Sequence, residues 1–225
     1  MLDATAIGPG TSVLDLGCGA GLFARAAADR GARVTGIDID PAAVVGAAAA
    51  VPEGAFAVGD AQHPPPGPFD VVALVQLLMH VADPAAVLAA AAGSGAVLAV
   101  TVWGREQECD IRVFGEALSR WLDARPAPTG PSITEPARLR AIAERAGLVV
   151  ERLDEVICPF DYADEEELLG PLFESALGRS VGRRAGPVAL RAAVLEHLQP
   201  YRTVAGGYRL ENLFRVLVAR PGNTA

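Results

Sequence analysis

The chain alternates short apolar, β-branched runs with alanine-rich stretches, and this alternation is the feature that most limits its fold. Runs typical of buried strands lie at 12–17, 33–40, 55–60, 69–75 and 95–103. Helical stretches follow the first, second and fourth of these runs, and they start at Leu22, Pro41 and Pro84. Strands that alternate with helices form βαβ units, in which a parallel sheet is covered on both faces. The pattern therefore predicts an α/β fold.

After Trp103 the alternation changes. A polar helical stretch at 105–123 and a Pro- and Gly-rich loop at 125–132 precede a helix that ends at Gly147. A sixth strand is predicted at 148–156 and a final one at 208–220, and the segment 158–207 between them shows no strand pattern. We interpret residues 1–225 as a single domain in which 104–134 and 158–207 are helical insertions that form a lid or bind substrate.

Composition and charge narrow the class of protein. Of the 225 residues 51% are hydrophobic and 20% are charged, which suits a globular chain with a full core. The net charge of −8 disfavours a phosphate backbone as a partner, so no nucleic acid is expected. The sequence contains no lysine, so every fixed positive side-chain charge is an arginine.

The cysteines and the N-terminal residues bear on the compartment. Cys18, Cys109 and Cys158 are too few and too scattered for a disulfide framework or a zinc site, and no other metal-ligand spacing stands out. The first residues show no basic stretch before an apolar run. The uncharged run 85–103 is interrupted by glycines, which favours helix, turn and strand over a membrane span. We expect a cytoplasmic, metal-independent protein without a membrane partner.

The most informative motif is VLDLGCGAG at 13–21. A strand that ends in a Gly-rich turn and opens a helix lets a ligand approach the backbone closely, because glycine has no Cβ. Dinucleotide sites use the spacing GxGxxG at this position. Here the spacing is GxGxG, the next residue is Leu22, and an acidic residue, Asp15, stands two positions before Gly17.

This motif resembles motif I of the class I S-adenosylmethionine-dependent methyltransferases. LLMHVADP at 77–84 resembles a segment of their UbiE-like group, methyltransferase type 11, and the resemblance covers 12–156 and extends to 208–220. It implies a Rossmann-like α/β/α sandwich whose seven-stranded sheet is mostly parallel, with the last strand antiparallel. It also implies S-adenosylmethionine as the cofactor and a small-molecule acceptor. O-, C- and N-methylation stay open.

The resemblance also implies a set of cofactor-binding residues, which are Asp15, Gly17, Gly19, Gly21, Asp38, Ile39, Asp60, Ala61 and Gln76. In that family the three glycines surround the methionine moiety, and the carboxylate before them anchors its ammonium group. The acidic residue after the second strand holds the ribose hydroxyls, and the one after the third accepts from the adenine amine. A carboxylate suits the ribose because it accepts two hydrogen bonds at once. Gln76 follows the fourth strand, where the family lines the sulfonium end.

Two features depart from the family pattern. The turn before the fifth strand is Gly93-Ser94-Gly95 where the family commonly has Pro-Gly-Gly. Family members usually carry tens of residues of cofactor-capping helices before motif I, whereas here the first strand is predicted from Ser12. Either the insertion at 158–207 supplies the lid, or the chain is a shortened version of a longer one.

His80 and Tyr162 are the candidate catalytic residues. His80 follows the fourth strand, and a histidine imidazole can take up a proton near neutral pH, which would favour an oxygen or carbon acceptor. Packing or hydrogen bonding at the strand end is the alternative for His80. Tyr162 could offer its hydroxyl to a substrate from the insertion, and ordinary packing is the alternative there.

Two other functions stay open. One is an NAD(P)-dependent oxidoreductase, although the GxGxG spacing and the lack of lysine for a Tyr-Lys pair argue against it. The other is a protein that binds S-adenosylmethionine without transferring its methyl group, such as a scaffold subunit. A monomer and a homodimer are both compatible with the sequence.

Overall fold

The computed structural model describes residues 1–123 and 132–222 and divides the chain into two units. The first unit comprises Met1–Trp103, Pro131–Val156 and Phe214–Ala225, and the second comprises Gly104–Gly130 and Ile157–Leu213. The residue ranges of the second unit largely coincide with the predicted insertions 104–134 and 158–207. The role of these insertions as a lid or in substrate binding stays a prediction. Apart from Ser132, the predicted loop at 125–132 lies outside the described residues.

The described residues form strands and helices in the predicted alternation, with additional helices in the second unit. The strands are β1 Ser12–Leu16, β2 Arg33–Asp38, β3 Ala55–Val58, β4 Phe69–Val75, β5 Gly95–Trp103, β6 Leu148–Tyr162 and β7 Tyr208–Pro221. The helices are α1 Leu22–Asp29, α2 Pro41–Ala50, α3 Pro84–Ala92, α4 Arg112–Leu118, α5 Pro136–Arg145, α6 Glu165–Glu174, α7 Ala176–Ala185 and α8 Pro187–Leu198. Proline at the start of α2, α3 and α5 suits a first turn, whose N–H groups have no helical partner.

The strands form one seven-stranded sheet in the order β3-β2-β1-β4-β5-β7-β6. Every pair from β3 to β5 is parallel, and β7 runs antiparallel to β5. The predicted Rossmann-like α/β fold, with a mostly parallel sheet and an antiparallel last strand, is therefore confirmed. The strand order reverses between β1 and β4, and ligands of open α/β sheets bind outside the carboxyl ends of the strands at such a point.

Both faces of the sheet in the first unit are buried, as a parallel sheet requires. Leu14 of β1 packs in a cluster with Leu88 of α3 and Leu139 of α5. Its neighbour Val13 packs on the opposite face with Ala24 of α1. Successive side chains of a strand point to opposite faces, so β1 is anchored from both sides.

The second unit has a hydrophobic cluster of its own. Leu168 of α6, Val181 of α7 and Leu190 of α8 pack around Tyr208, whose side chain is buried. The expectation that 158–207 contains no strand is wrong at its start, because β6 continues to Tyr162. The ion pair between Asp161 and Arg209 at 3.1 Å joins this continuation to the start of β7, a long-range partner that local sequence does not reveal.

Within residues 1–123 and 132–222, every helix is too short or too polar to cross a bilayer.

Candidate functional site

The Gly-rich turn between β1 and α1 depends on backbone geometry that other residues rarely adopt. Gly17, Gly19 and Gly21 have φ values of +70°, +52° and +86°. A Cβ on Gly17 would lie 2.7 Å from Cδ1 of Leu77, and one on Gly21 would lie 2.9 Å from Cα of Ala47. Gly19 has open space around it. Gly21 is thus needed for close packing against the main chain of α2, whereas Gly17 is favoured by its positive φ, and Gly19 leaves room beside the turn.

Asp15 is a buried carboxylate at the end of β1. Its side chain is 1% exposed, and neither carboxylate oxygen has a hydrogen-bond partner among the described residues. Burial, and then the nearby charge of Asp38, raises the pKa of Asp15 to about 7. A buried, unpartnered carboxylate is costly in free energy, so a cationic ligand group beside it would be strongly favoured.

Asp38 is held at the end of β2 by two main-chain donors. Its Oδ2 accepts from the N–H of Gly19 and its Oδ1 accepts from the N–H of Asp40, both at 2.9 Å. Each carboxylate oxygen keeps a lone pair for another donor. The Gly-rich turn and the carboxylate therefore fix each other, and Asp38 is ready to accept bonds from a pair of hydroxyl groups.

The negative charges around the Gly-rich turn affect the ionisation of Cys18, the cysteine within the turn. Burial, followed by the charges of Asp15 and Asp38, raises the pKa of Cys18 to about 12. The Cys18 thiol is buried, stays protonated and packs against the position of Gly36. Cys18 is therefore a packing residue, and the field beside it favours positive charge.

A cavity of about 260 Å³ opens at the carboxyl ends of these strands. Six residues singled out from the sequence line it, namely Gly17, Asp38, Ile39, Asp60, Ala61 and His80. Five further lining residues were not singled out, namely Gly59, Gln62, Leu77, Val81 and Ala82. Leu77, Val81 and Ala82 belong to the motif at 77–84, so their place directly after β4 could have indicated them. Gln62 donates its N–H to Oδ1 of Asp60 at 2.9 Å and fixes that carboxylate.

The remaining cofactor candidates lie beside the cavity lining and not in it. Gly19 is linked to the lining through Asp38, whereas Gly21 contacts Ala47. Gln76 has a φ of +55°, and its amide nitrogen Nε2 donates to Oγ1 of Thr101 at 3.1 Å. Its Oε1 is buried without a partner among the described residues. Gln76 is thus fixed by β5, with one acceptor left unused.

The two catalytic candidates lie in different units. His80 is exposed at the cavity, and its main-chain N–H donates to the carbonyl of Leu77 at 2.9 Å. Tyr162 lies at the end of β6 in the second unit and is half-buried. Burial, and then the charge of Glu167, raises the pKa of Tyr162, so its hydroxyl stays protonated near neutral pH.

Comparison with known proteins decides the family. A family model described as a methyltransferase domain matches residues 2–153. The chain belongs to the class I S-adenosylmethionine-dependent methyltransferases. This methyltransferase is 35% identical over 155 residues to the ubiquinone biosynthesis O-methyltransferase of Thiobacillus denitrificans, an alignment that covers 64% of this chain and 67% of that relative. The chain spans about two thirds of the length of the curated relatives it matches.

Solved structures agree on the fold of the methyltransferase. A protein of Bacillus halodurans described as a putative methyltransferase matches with a TM-score of 0.61 at 15% identity, covering 99% of this chain and 97% of that one. The magnesium protoporphyrin IX methyltransferase of Synechocystis, with bound S-adenosylhomocysteine, matches with a TM-score of 0.56 at 18% identity, covering 98% and 78%.

The cofactor of this methyltransferase is S-adenosylmethionine, and the residues present fit it. The molecule carries positive charge and a pair of ribose hydroxyls. An unpartnered buried carboxylate at Asp15 and a fixed acceptor at Asp38 provide for both. These relatives favour methyl transfer over nicotinamide-dependent redox chemistry, the alternative left open by the sequence.

Proposed function

We propose that this methyltransferase transfers the methyl group of S-adenosylmethionine to a hydroxyl group of a small organic molecule. The observation that carries the proposal is the pair of carboxylates at the ends of β1 and β2. One is buried without a partner and the other is held by two main-chain N–H groups. The choice of an oxygen acceptor rests on the O-methyltransferase name of the curated relatives.

In the proposed cofactor site each residue has one task. Asp15 binds the ammonium group of the methionine moiety, and the open space at Gly19 admits that moiety. Asp38 accepts from the ribose hydroxyls, with Ile39 beside it on the cavity wall. Asp60 and Ala61 flank the adenine, and Gln76 offers its unused Oε1 near the sulfonium end.

The chemistry needs few protein groups. When bound, S-adenosylmethionine supplies a methyl group already activated by a sulfonium. The protein aligns the acceptor with that methyl group and removes the proton that the acceptor hydroxyl loses. His80 is the proposed base, because its ring is exposed at the cavity and one imidazole nitrogen can accept the proton.

Tyr162 has a different proposed role. Because its pKa is raised, Tyr162 is not ionised near neutral pH, so its hydroxyl is available as a hydrogen-bond donor and not as a base. We propose that it donates a hydrogen bond to the substrate, with the second unit acting as the substrate-binding insertion. The supporting observation is a cavity of about 390 Å³ that Tyr162 lines within that unit.

The expected partners and location belong to the same proposal. A small-molecule acceptor, and no nucleic acid, is supported by the net charge of −8. A cytoplasmic location is supported by Cys18, Cys109 and Cys158, which form no disulfide in the described part of the chain. For the oligomeric state, we continue to predict either a monomer or a homodimer.

Two linked measurements test the function. The purified chain is titrated with S-adenosylhomocysteine, with NADH as the control ligand. It is then incubated with methyl-labelled S-adenosylmethionine and a panel of small phenols, alcohols and amines. We expect micromolar binding of S-adenosylhomocysteine alone and label in hydroxyl compounds. Binding of NADH alone, or label only on nitrogen, would contradict the proposal.

A further inference from the structure

A groove runs along α7 in the second unit, and the proposed methyl transfer gives its lining residues no role. We call it the α7 groove. It has a volume of about 370 Å³, within the range of small-molecule sites. Its lining comes from α6, α7 and α8, and includes Phe173, Gly182, Pro187 and Leu190. These groups give it a mainly apolar wall.

The two glycines that α7 contributes to the groove have different environments. A Cβ on Gly178 would lie 1.9 Å from the carbonyl oxygen of Leu172, so close packing with the end of α6 requires glycine there. A Cβ on Gly182 would meet only Cδ2 of Leu190, at 3.8 Å, which is ordinary contact. Packing within the unit does not require glycine at position 182. Its missing side chain instead leaves space open along the groove wall.

Positive charge is concentrated at the rim of the groove. Arg179 and Arg183 both line it and are four residues apart, so they lie on one face of α7. Arg184 and Arg191 pair with the carboxylates of Asp123 and Glu165.

Arg179 and Arg183, the arginines at the rim, are not neutralised by carboxylates of the described residues as Arg184 and Arg191 are. Arg179 donates through Nη1 to the main-chain carbonyl of Glu174. Neither it nor Arg183 has a carboxylate within ion-pair distance in the part of the chain that the structure describes. Two adjacent cations of this kind repel each other, and an anion between them would relieve the repulsion. They stand out in a chain whose net charge is −8.

We propose that the α7 groove binds a small amphipathic carboxylic acid. Its apolar ring or chain lies against Phe173 and Leu190 in the space left by Gly182, and its carboxylate accepts from Arg179 and Arg183. Arginine suits this partner because its planar N–H groups match the two oxygens of a carboxylate. The proposal concerns only the second unit and does not depend on the proposed methyl transfer.

The test is calorimetric titration of the full chain with 4-phenylbutyrate, a probe that has a ring, a short chain and one carboxylate. Its neutral counterpart, 4-phenylbutan-1-ol, measures the apolar contribution alone. Arg183→Gln removes one cation, and Gly182→Leu fills the groove. Arg140→Gln on α5 and Gly115→Leu on α4 are matched controls, since Arg140 and Gly115 are exposed and a Cβ on Gly115 meets nothing within 4 Å.

We expect one saturable site for 4-phenylbutyrate, with the alcohol binding roughly tenfold more weakly because it lacks the charge-assisted bonds. Arg183→Gln should narrow the difference between the two affinities, because Arg179 remains, and Gly182→Leu should abolish both. The controls should bind as the unmodified chain does, and circular dichroism checks that each variant is folded. No saturable binding below about 5 mM, or binding that neither groove variant changes, would overturn the proposal.

Discussion

The first unit fixes its site through the main chain, whereas the second unit is held together by side chains. Asp38 is positioned by the N–H groups of Gly19 and Asp40, in a turn whose glycines have positive φ. In the second unit, Leu168, Val181 and Leu190 pack around a buried tyrosine. Main-chain geometry demands particular residue types at particular positions, but an apolar cluster accepts many combinations.

This difference explains why the chemistry of the first unit is easier to recognise. A glycine required by φ or a carboxylate required at a strand end leaves a local pattern in the sequence. The second unit can change its cavities by changing side-chain size, as Gly182 illustrates, without altering its helices. We expect substrate selection to depend on the second unit and cofactor binding on the first.

The largest expected effect concerns the ionisation of Asp15 in the ligand-free chain. Its pKa rises from 3.8 in the unfolded chain to about 7 in the folded one, so the folded state binds more protons in that window. The free energy of unfolding should therefore fall as pH rises from about 4 to about 7, by up to roughly 4 kcal/mol. Asp15→Asn, which cannot ionise, should flatten this dependence and be the more stable protein at pH 8.

Urea unfolding at pH 5 and pH 8 measures both proteins. Equal pH dependence in the two would show that Asp15 ionises normally. The same ionisation should appear in ligand binding, because the ammonium group prefers the charged carboxylate. The affinity for S-adenosylhomocysteine should rise about tenfold from pH 6 to pH 8 in the unmodified chain and stay flat in Asp15→Asn.

Substitutions of the two catalytic candidates compare the contribution of each unit to turnover, because His80 lies in the first unit and Tyr162 in the second. His80→Ala should lower turnover about 100-fold, the lower end for loss of a general base, and change affinity for S-adenosylhomocysteine little. Tyr162→Phe keeps the ring and should lower turnover only about tenfold, the scale of one hydrogen bond. Single-turnover assays with an acceptor from the hydroxyl panel measure both. Full activity of His80→Ala would make His80 a packing residue.

The effect expected at the ribose is on binding, and it is comparable in size with that of His80→Ala on turnover. Asp38→Ala should weaken S-adenosylhomocysteine binding by about 1.5–3 kcal/mol, the scale of hydrogen bonds to a charged group, while the fold stays intact. Isothermal titration gives the affinity, and the thermal transition confirms folding. Unchanged affinity in a folded variant would remove Asp38 from the cofactor site.

The smallest expected effect is on the free energy of unfolding, when the N-cap residue of one helix in each unit is replaced. Asp40 caps α2 in the first unit and Asp164 caps α6 in the second, each by accepting main-chain N–H groups. Asp40→Ala and Asp164→Ala should each cost about 1 kcal/mol of unfolding free energy. Neither should change affinity for S-adenosylhomocysteine in a calorimetric titration. A large loss of affinity in Asp40→Ala would show that the cap also holds Asp38 in place.

The sequence predicted the fold of the first unit with good accuracy. The strand and helix order to Trp103 and the parallel sheet follow from local patterns, and the antiparallel last strand was implied by the resemblance to the methyltransferase family. Six of the residues proposed to bind the cofactor or act in catalysis line one cavity. These positions were predictable because each follows a strand, and the carboxyl ends of parallel strands meet at one edge.

The sequence predicted the second unit less well. β6 was expected to end at Val156 and continues to Tyr162 beside β7, which begins far along the chain at Tyr208. In the first unit, the role of Gly21 in packing against Ala47 was also not apparent. Both contacts join residues that are separated in sequence, so no local pattern marks them.

The sequence by itself therefore determined the fold class, the Gly-rich turn and the carboxylates of the proposed cofactor site. Only the tertiary structure decided that Asp15 is buried without a partner, that Gln76 is held by Thr101, and that α7 borders a groove with two unneutralised arginines. The physical reason is one of range. Backbone requirements act over a few residues and select residue types, whereas burial, pKa and cavities arise from packing between distant segments.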